Sequence, residues 1–348
     1  MRARVVRRDD GPAGEAVDGF VLCRDLRGET ASQSFAKGRI LRAADLPALL
    51  ALPWEELHLL EMGAGEVHED DAGARLAAAS AGEGCEVGRA GAGAWPIAAA
   101  RRGVLDVDVG ALRRANSIDG ICVYTLYGGR IVERGETVAR AKITPFVIPE
   151  RALADAEAAA RGAGGLVRVR AFRPLRVGAV VQETLGDRAL GRFRAALDEK
   201  VRWFGSELLE PRFARPDDAA IAEAVDAVVR QGADVLVLAG AKAMDVLDPT
   251  FGALARLGAP VERHGVPAHP GSLFWLASYR DVPILGMPSC GLFSQATVFD
   301  LVLPRILAGE RVDREQLAEL GHGGLLSKEM AFRFPPYREA RERGELGE

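Results

Sequence analysis

Residues 233–254, ADVLVLAGAKAMDVLDPTFGAL, carry the pattern that decides the fold. The unbroken apolar run 235–238 is typical of a strand that is buried on both faces of a sheet. The small residues 239–241 follow it, and small side chains allow a ligand to approach the backbone. The apolar periodicity after Pro249 predicts a helix. A buried strand, a small-residue loop and a helix start together form a common anion-binding arrangement in open α/β sheets.

The loop between this strand and this helix carries one lysine and two acids, Lys242, Asp245 and Asp248. Lys242 is suited to neutralise a phosphate, whereas two carboxylates would repel one. A cation such as Mg²⁺ between the acids and the ligand would remove that repulsion, so Asp245 and Asp248 are candidate metal ligands. The alternatives are that Lys242 is a solvated surface residue and that Asp248 is only an N-cap.

Strands and helices are predicted to alternate on both sides of this stretch. The predicted strands span 175–181, 207–213, 234–238, 261–266 and 283–286, and the predicted helices span 191–204, 217–231, 248–258 and 294–307. This order predicts a doubly wound, mostly parallel sheet with helices on both faces. We place this α/β domain at residues 166–312, after the glycine-rich linker 162–165, and a C-terminal tail at 313–348.

Residues 1–165 are predicted to form an α+β domain of short strands. A hairpin is expected where strands at 121–126 and 131–133 flank Gly128-Gly129. The segment 68–71, His-Glu-Asp-Asp, has two interpretations. It is either a metal site or, as we favour, an acidic cap at a helix N-terminus, where the helix dipole stabilises carboxylates.

The composition excludes several functional classes. The chain has 348 residues, a net charge of −4 and a pI of about 5.9, which argues against binding nucleic acid by bulk charge. No apolar run approaches the roughly 20 residues of a membrane span, and no apolar segment of a signal peptide follows the basic N-terminus. We therefore expect a cytoplasmic protein that acts away from membranes. The four scattered cysteines form neither a disulfide framework nor a zinc site.

Ligands of doubly wound sheets bind outside the carboxyl ends of the strands. Loops rich in small residues follow the predicted strands there, and their hydroxyls and backbone amides suit a phosphate. The candidate binding residues are Thr184, Gly240, Ala241, Lys242, Pro270, Gly271, Ser272, Pro288, Ser289, Cys290, Gly291 and Ser294. The candidate catalytic residues are the two acids already named. As alternatives, Pro270-Gly271 is a plain turn and Cys290 is a small buried filler.

The loop motifs of segment 175–310 resemble those of a known family. They are Leu238-Ala239-Gly240-Ala241 with Asp248, then Pro270-Gly271, then residues 287–291 (MPSCG) before a helix. This pattern is similar to the molybdopterin-binding domain of molybdenum-cofactor biosynthesis proteins, both MoaB/Mog-like and MoeA-related. Residues 37–41, 68–72 and 138–146 are similar to the leader of a bacterial group of these proteins.

The resemblance implies molybdopterin as ligand or substrate, with Mg²⁺ and either molybdate or ATP. It implies a molybdopterin molybdotransferase or adenylyltransferase in which Asp248 assists transfer and Asp245 helps. It also implies a homo-oligomer that interacts with other cofactor-assembly proteins or with a molybdoenzyme. Two departures, Ala241 for a glycine and Ser289-Cys290-Gly291 for Gly-Asn-Pro, favour binding over catalysis. A non-catalytic molybdopterin carrier, sensor or maturation factor and an unrelated nucleotide- or sugar-phosphate enzyme are the alternatives.

Overall fold

The computed structural model of the chain describes residues 2–10, 17–91, 93–182, 187–245, 247–287 and 297–337. The chain divides into two compact units. Unit 1 combines residues 1–101, 106–126 and 133–169, and unit 2 combines residues 102–105, 127–132 and 170–348. Two short segments of the predicted N-terminal domain therefore belong to unit 2.

Up to residue 171 the chain forms short strands and four helices within the described residues. The strands are β1 (Arg2–Arg7), β2 (Val21–Leu22), β3 (Glu56–Glu61), β4 (Glu66–His68), β5 (Cys85–Val87), β6 (Trp95–Ala99), β7 (Gly103–Val107), β8 (Ile121–Thr125), β9 (Ile131–Val132), β10 (Thr137–Ile143), β11 (Val147–Pro149) and β12 (Val167–Ala171). The helices are α1 (Leu46–Leu50), α2 (Glu69–Ser80), α3 (Val109–Asn116) and α4 (Glu150–Gly162). Unit 1 contains antiparallel sheets in the orders β1-β3-β2, β5-β6-β10-β8 and β11-β4. The predicted α+β architecture of short strands is confirmed.

The predicted hairpin around Gly128-Gly129 is wrong. β8 pairs with β10, where Ile121 lies opposite Ile143 and Thr125 lies opposite Ala139. β9 pairs instead with β7 inside unit 2, as Val132 lies opposite Gly103. β10 offers β8 five paired positions, more than the two-residue β9 can offer, so the non-local pairing replaces the local one.

Segment 68–71 begins helix α2, as the cap interpretation predicts. His68 is the N-cap, and its Nδ1 accepts a hydrogen bond from the Asp70 N–H at 3.3 Å. Its Nε2 lies 2.7 Å from the Gly38 carbonyl oxygen. Three acids occupy the first turn, where the positive end of the helix dipole stabilises them.

Unit 2 contains the α/β sheet that the opening stretch predicts. Its strands are β13 (Arg176–Gln182), β14 (Glu207–Leu208), β15 (Arg212–Ala214), β16 (Val235–Ala239), β17 (Val261–His264), β18 (Trp275–Tyr279) and β19 (Val282–Met287). Its helices are α5 (Asp187–Trp203), α6 (Asp218–Arg230), α7 (Pro249–Leu257), α8 (Val298–Leu307) and α9 (Arg314–Glu319). None of the helices in the described part of the chain is long and apolar enough to cross a membrane.

The strand order of this sheet is β14-β13-β16-β19-β18-β17, and β15 also pairs with β13. Pairing is parallel from β14 to β19 and antiparallel at β18. β16 is fully buried and its side chains alternate between two cores: Val235 and Val237 face the core that holds side chains of α5 and α8, and Leu236 and Leu238 face that of α6 and α7. The predicted doubly wound, mostly parallel sheet is therefore confirmed.

Candidate functional site

The strand registers bring several carboxyl ends to one edge of the unit 2 sheet. Val181 of β13 lies opposite Ala239 of β16, which lies opposite Met287 of β19. β17 runs in the same direction, because it is antiparallel to β18 and β18 is antiparallel to β19. The loops at 240–248 and 265–274 therefore lie at this edge. Thr184, Pro288, Ser289, Cys290, Gly291 and Ser294 lie outside the described residues.

The first loop starts with a backbone turn that only glycine adopts easily. Gly240 has φ +93°, and a Cβ at this position would lie 3.3 Å from the Gln182 Cβ and carbonyl oxygen. Ala241 beside it is buried. The backbone therefore turns tightly against the end of β13 directly after the buried strand β16.

Asp248 closes the base of the first loop. Its Oδ2 accepts the Lys242 N–H at 2.7 Å. Its Oδ1 accepts the Thr250 N–H at 2.9 Å, which makes Asp248 the N-cap of α7, and also accepts the Gln182 amide at 3.3 Å. The N-cap interpretation is therefore realised, and the carboxylate also holds both ends of the loop together.

The environment of Asp248 keeps it ionised. Burial alone would raise the pKa of this carboxyl, since only 6% of the residue is exposed. Hydrogen bonds from Thr250, Lys242 and Gln182 outweigh burial and hold the pKa below its ordinary value. Asp248 is thus a buried anion that is stabilised by neutral donors.

Asp245 and Lys242 lie in the exposed part of the loop. The Asp245 Oδ1 accepts the Leu247 N–H at 3.0 Å, and the Asp245 N–H donates to the Lys242 carbonyl at 2.7 Å. The Lys242 side chain is exposed, and within the described residues it forms no ion pair. The first loop thus presents an ammonium group that can meet an anion.

The two acids do not form a complete metal site. Three N–H groups already use most of the acceptor capacity of Asp248, since a carboxylate accepts about four hydrogen bonds. Across the described ranges, no group of three or more His, Cys, Asp or Glu side chains is placed to hold a metal ion. Mg²⁺ at Asp245 and Asp248 therefore stays a prediction.

The second loop packs against the start of α8. The Val298 N–H donates to the Pro270 carbonyl at 3.3 Å, and the Val266 N–H donates to the Ser272 carbonyl at 3.0 Å. His269 is held by residues 324–326, since its N–H donates to the Gly324 carbonyl and its own carbonyl accepts the Leu326 N–H. Pro270, Gly271 and Ser272 are thus placed at the sheet edge by two other segments of unit 2.

Replacing Gly271 with alanine should lower the free energy of unfolding by about 1–3 kcal/mol more than the same change at a glycine that has positive φ and open space, because the added Cβ would clash with the start of α8. Gly271 has φ +114°, and an added Cβ would lie 2.7 Å from the Val298 nitrogen. Gly205→Ala is the matched control, since Gly205 has φ +76° and no atom within 4 Å of an added Cβ. Urea unfolding measures both variants, and equal stabilities would contradict the steric conflict with α8.

Two parts of this region escape prediction from local sequence. Gln182 ends β13 and contacts Asp248, although the two residues are 66 positions apart. A buried ion pair joins Lys200 to Asp300 at 2.6 Å across 100 positions. The one local signal is that Gln182 is a polar residue at the end of a buried strand.

Comparisons with known proteins give similarity to solved structures alone. No family model and no curated protein matches the chain. The molybdopterin biosynthesis MoeA protein from Pyrococcus horikosii is 16% identical, with 70% of this chain and 79% of that chain covered and a TM-score of 0.31. The tungsten cofactor synthesizing protein MoaB from Pyrococcus furiosus is 15% identical, with 40% and 99% covered and a TM-score of 0.30. The molybdopterin biosynthesis Mog protein from Mycobacterium ulcerans is 14% identical, with 42% and 100% covered and a TM-score of 0.31.

These names are those of the families that the sequence motifs resemble.

Proposed function

We propose that this chain binds molybdopterin through its phosphate at the carboxyl edge of the unit 2 sheet and acts in molybdenum-cofactor biosynthesis. The observation that carries the proposal is the first loop. It places an exposed lysine, Lys242, between a tight turn at Gly240 and the start of α7. An exposed ammonium group beside a tight glycine turn suits a phosphate monoester, because the ammonium group donates charge-assisted hydrogen bonds to phosphate oxygens.

The motif resemblance supports a pterin phosphate as the particular anion. The motif residues Gly240, Asp248 and Pro270-Gly271 lie on the two loops at the carboxyl edge of the unit 2 sheet. An enzymatic version of the proposal requires either molybdate or ATP as the co-substrate and Mg²⁺ as the cation.

The geometry supports binding more directly than catalysis. The Asp248 carboxylate is buried and its oxygens accept hydrogen bonds from the protein, so it has little capacity left for a reacting group. This observation favours a molybdopterin carrier, sensor or maturation factor as the second candidate. A molybdotransferase or adenylyltransferase remains the enzymatic candidate.

Identification of the bound ligand tests the proposal. The full chain is purified without oxygen from a host that makes molybdopterin, and released compounds are identified by fluorescence and mass spectrometry. A pterin phosphate in near-stoichiometric amount is the expected result. A nucleotide or a sugar phosphate in its place, or no bound pterin, would contradict the proposal.

The Lys242→Ala variant should bind inorganic phosphate and molybdopterin at least ten-fold more weakly, because a charge-assisted hydrogen bond contributes about 1.5–3 kcal/mol and each 1.4 kcal/mol is about ten-fold in affinity. Calorimetric titration measures the affinity. Lys37→Ala is the control, since Lys37 is an exposed lysine of unit 1 and its removal changes the net charge equally. Equal affinities of the two variants for the ligand would show that Lys242 does not contribute to binding.

A further inference from the structure

Gln182 is a buried amide between the sheet and the start of α7. It is the last residue of β13, and 4% of it is exposed. Its Nε2 donates to the Asp248 Oδ1 at 3.3 Å and also to the Thr250 Oγ1. Each of the two amide hydrogens therefore has an acceptor. These hydrogen bonds matter for stability, because a buried donor without an acceptor would cost free energy.

The contacts of Gln182 continue into the first loop. The Asp248 carboxylate that receives the Gln182 amide also holds the Lys242 N–H at the loop's beginning and the Thr250 N–H at its end. Gln182 also backs the loop, since its backbone and Cβ lie beside Gly240. A shift of Gln182 would release Asp248 and, through it, the position of Lys242.

We infer that Gln182 is a positioning residue for the ligand site: it orients the Asp248 carboxylate. By accepting the Lys242 and Thr250 N–H groups, this carboxylate forms a clamp that joins the two ends of the first loop and keeps Lys242 at the sheet edge. Gln182 itself is too buried to touch a ligand and acts through Asp248. The effect on ligand binding rests on the proposed function, whereas the effect on the loop does not.

The Gln182→Glu variant tests this role through its pH dependence. The ionised side chain of this variant has no donor and faces the Asp248 carboxylate, the titratable side chain that contacts this position within the described residues. Lys242 and Asp245 are the other charged groups of the first loop, and both are exposed. A protonated carboxyl at position 182 regains one O–H donor, so acid should restore the clamp.

Hydrogen exchange gives a readout that needs no ligand. At pH 8, the Lys242 and Thr250 amides of Gln182→Glu should lose protection at least ten-fold relative to wild type at the same pH. At pH 5 most of the protection should return. Gln182→Met, which has similar length and no donor, should lose the same protection at both pH values.

Ligand titration is the second readout. With inorganic phosphate and with molybdopterin, the affinity of Gln182→Glu relative to wild type should fall at least five-fold at pH 8 and recover at pH 5. If wild type binds neither probe, the proposed function fails while hydrogen exchange still decides on the clamp. Unchanged protection in Gln182→Met, or an equal loss throughout the sheet, would overturn the positioning role.

Discussion

Replacing Lys200 with methionine should lower the free energy of unfolding by about 3–5 kcal/mol, because it leaves a buried charge without its partner. The Lys200 Nζ lies 2.6 Å from the Asp300 Oδ1, and Asp300 is fully buried. The Tyr337 hydroxyl donates to the same oxygen at 3.2 Å, and the other oxygen caps α8 by accepting the Thr297 N–H at 3.0 Å. Unfolding in urea, followed by tryptophan fluorescence, measures the change.

The loss should depend on pH in a defined direction. Burial raises the pKa of Asp300 above its ordinary value, although Lys200 and the hydrogen bonds around it act in the opposite direction. A carboxyl with a raised pKa binds its proton more readily in the folded chain than in the unfolded one. Folding is therefore favoured at low pH, and this contribution is lost as pH rises through the folded pKa. Without Lys200 the pKa rises further, so Lys200→Met should be least stable, relative to wild type, above neutral pH.

A second variant on α5 separates this effect from general damage to the helix. Arg202 forms an exposed ion pair with Asp198 one turn away, and such pairs contribute about 0–1 kcal/mol. Arg202→Met should therefore change stability little at any pH. If the two variants lost similar amounts of free energy of unfolding, the buried Lys200–Asp300 pair would contribute no more to stability than an exposed ion pair.

The contact between Lys200 and Asp300 marks the limit of what the sequence predicts. The strand β16 and the helix α7 follow from local patterns, because full burial and helical periodicity are visible in a few consecutive residues. Helix α8 is predicted from residue 294 and starts at Val298, where the Asp300 side chain sets the cap.

Pairings between distant segments are not visible in this way. The sequence analysis predicts no strand at the position of β18. The alternation of strands and helices along the chain predicts parallel strands, whereas β18 has no helix before it and is antiparallel to both of its neighbours. The hairpin error has the same origin, since β8 prefers β10 to its neighbour in sequence. In the candidate site, Lys242 and Asp248 are predicted from the sequence because they lie in one loop. Gln182 is not predicted, because it contacts Asp248 only when β13 pairs with β16 in the sheet.

The Asp248→Ala variant should be about 2–4 kcal/mol less stable than wild type, because it removes an N-cap and leaves buried donors unpaired. The donors that lose their acceptor are the Lys242 N–H, the Thr250 N–H and the Gln182 amide. The pKa of Asp248 is lowered in the folded chain, so its contribution is present above the unfolded pKa of about 3.9 and lost as pH falls through the folded pKa. The difference between the variant and wild type should therefore shrink in acid.

The cap of α6 is the matched control for this prediction. Asp217 accepts the Ala220 N–H at 2.9 Å and closes no loop of the candidate site, so Asp217→Ala should cost about 1 kcal/mol and leave ligand binding intact. The excess loss in Asp248→Ala then measures the loop clamp. Molybdopterin affinity separates the two roles of Asp248: a residue needed only for catalysis can be changed to asparagine with binding retained and turnover lost. A clamp residue loses binding with the same change, since the new amide cannot accept both the Lys242 and the Thr250 N–H groups in place of the two oxygens.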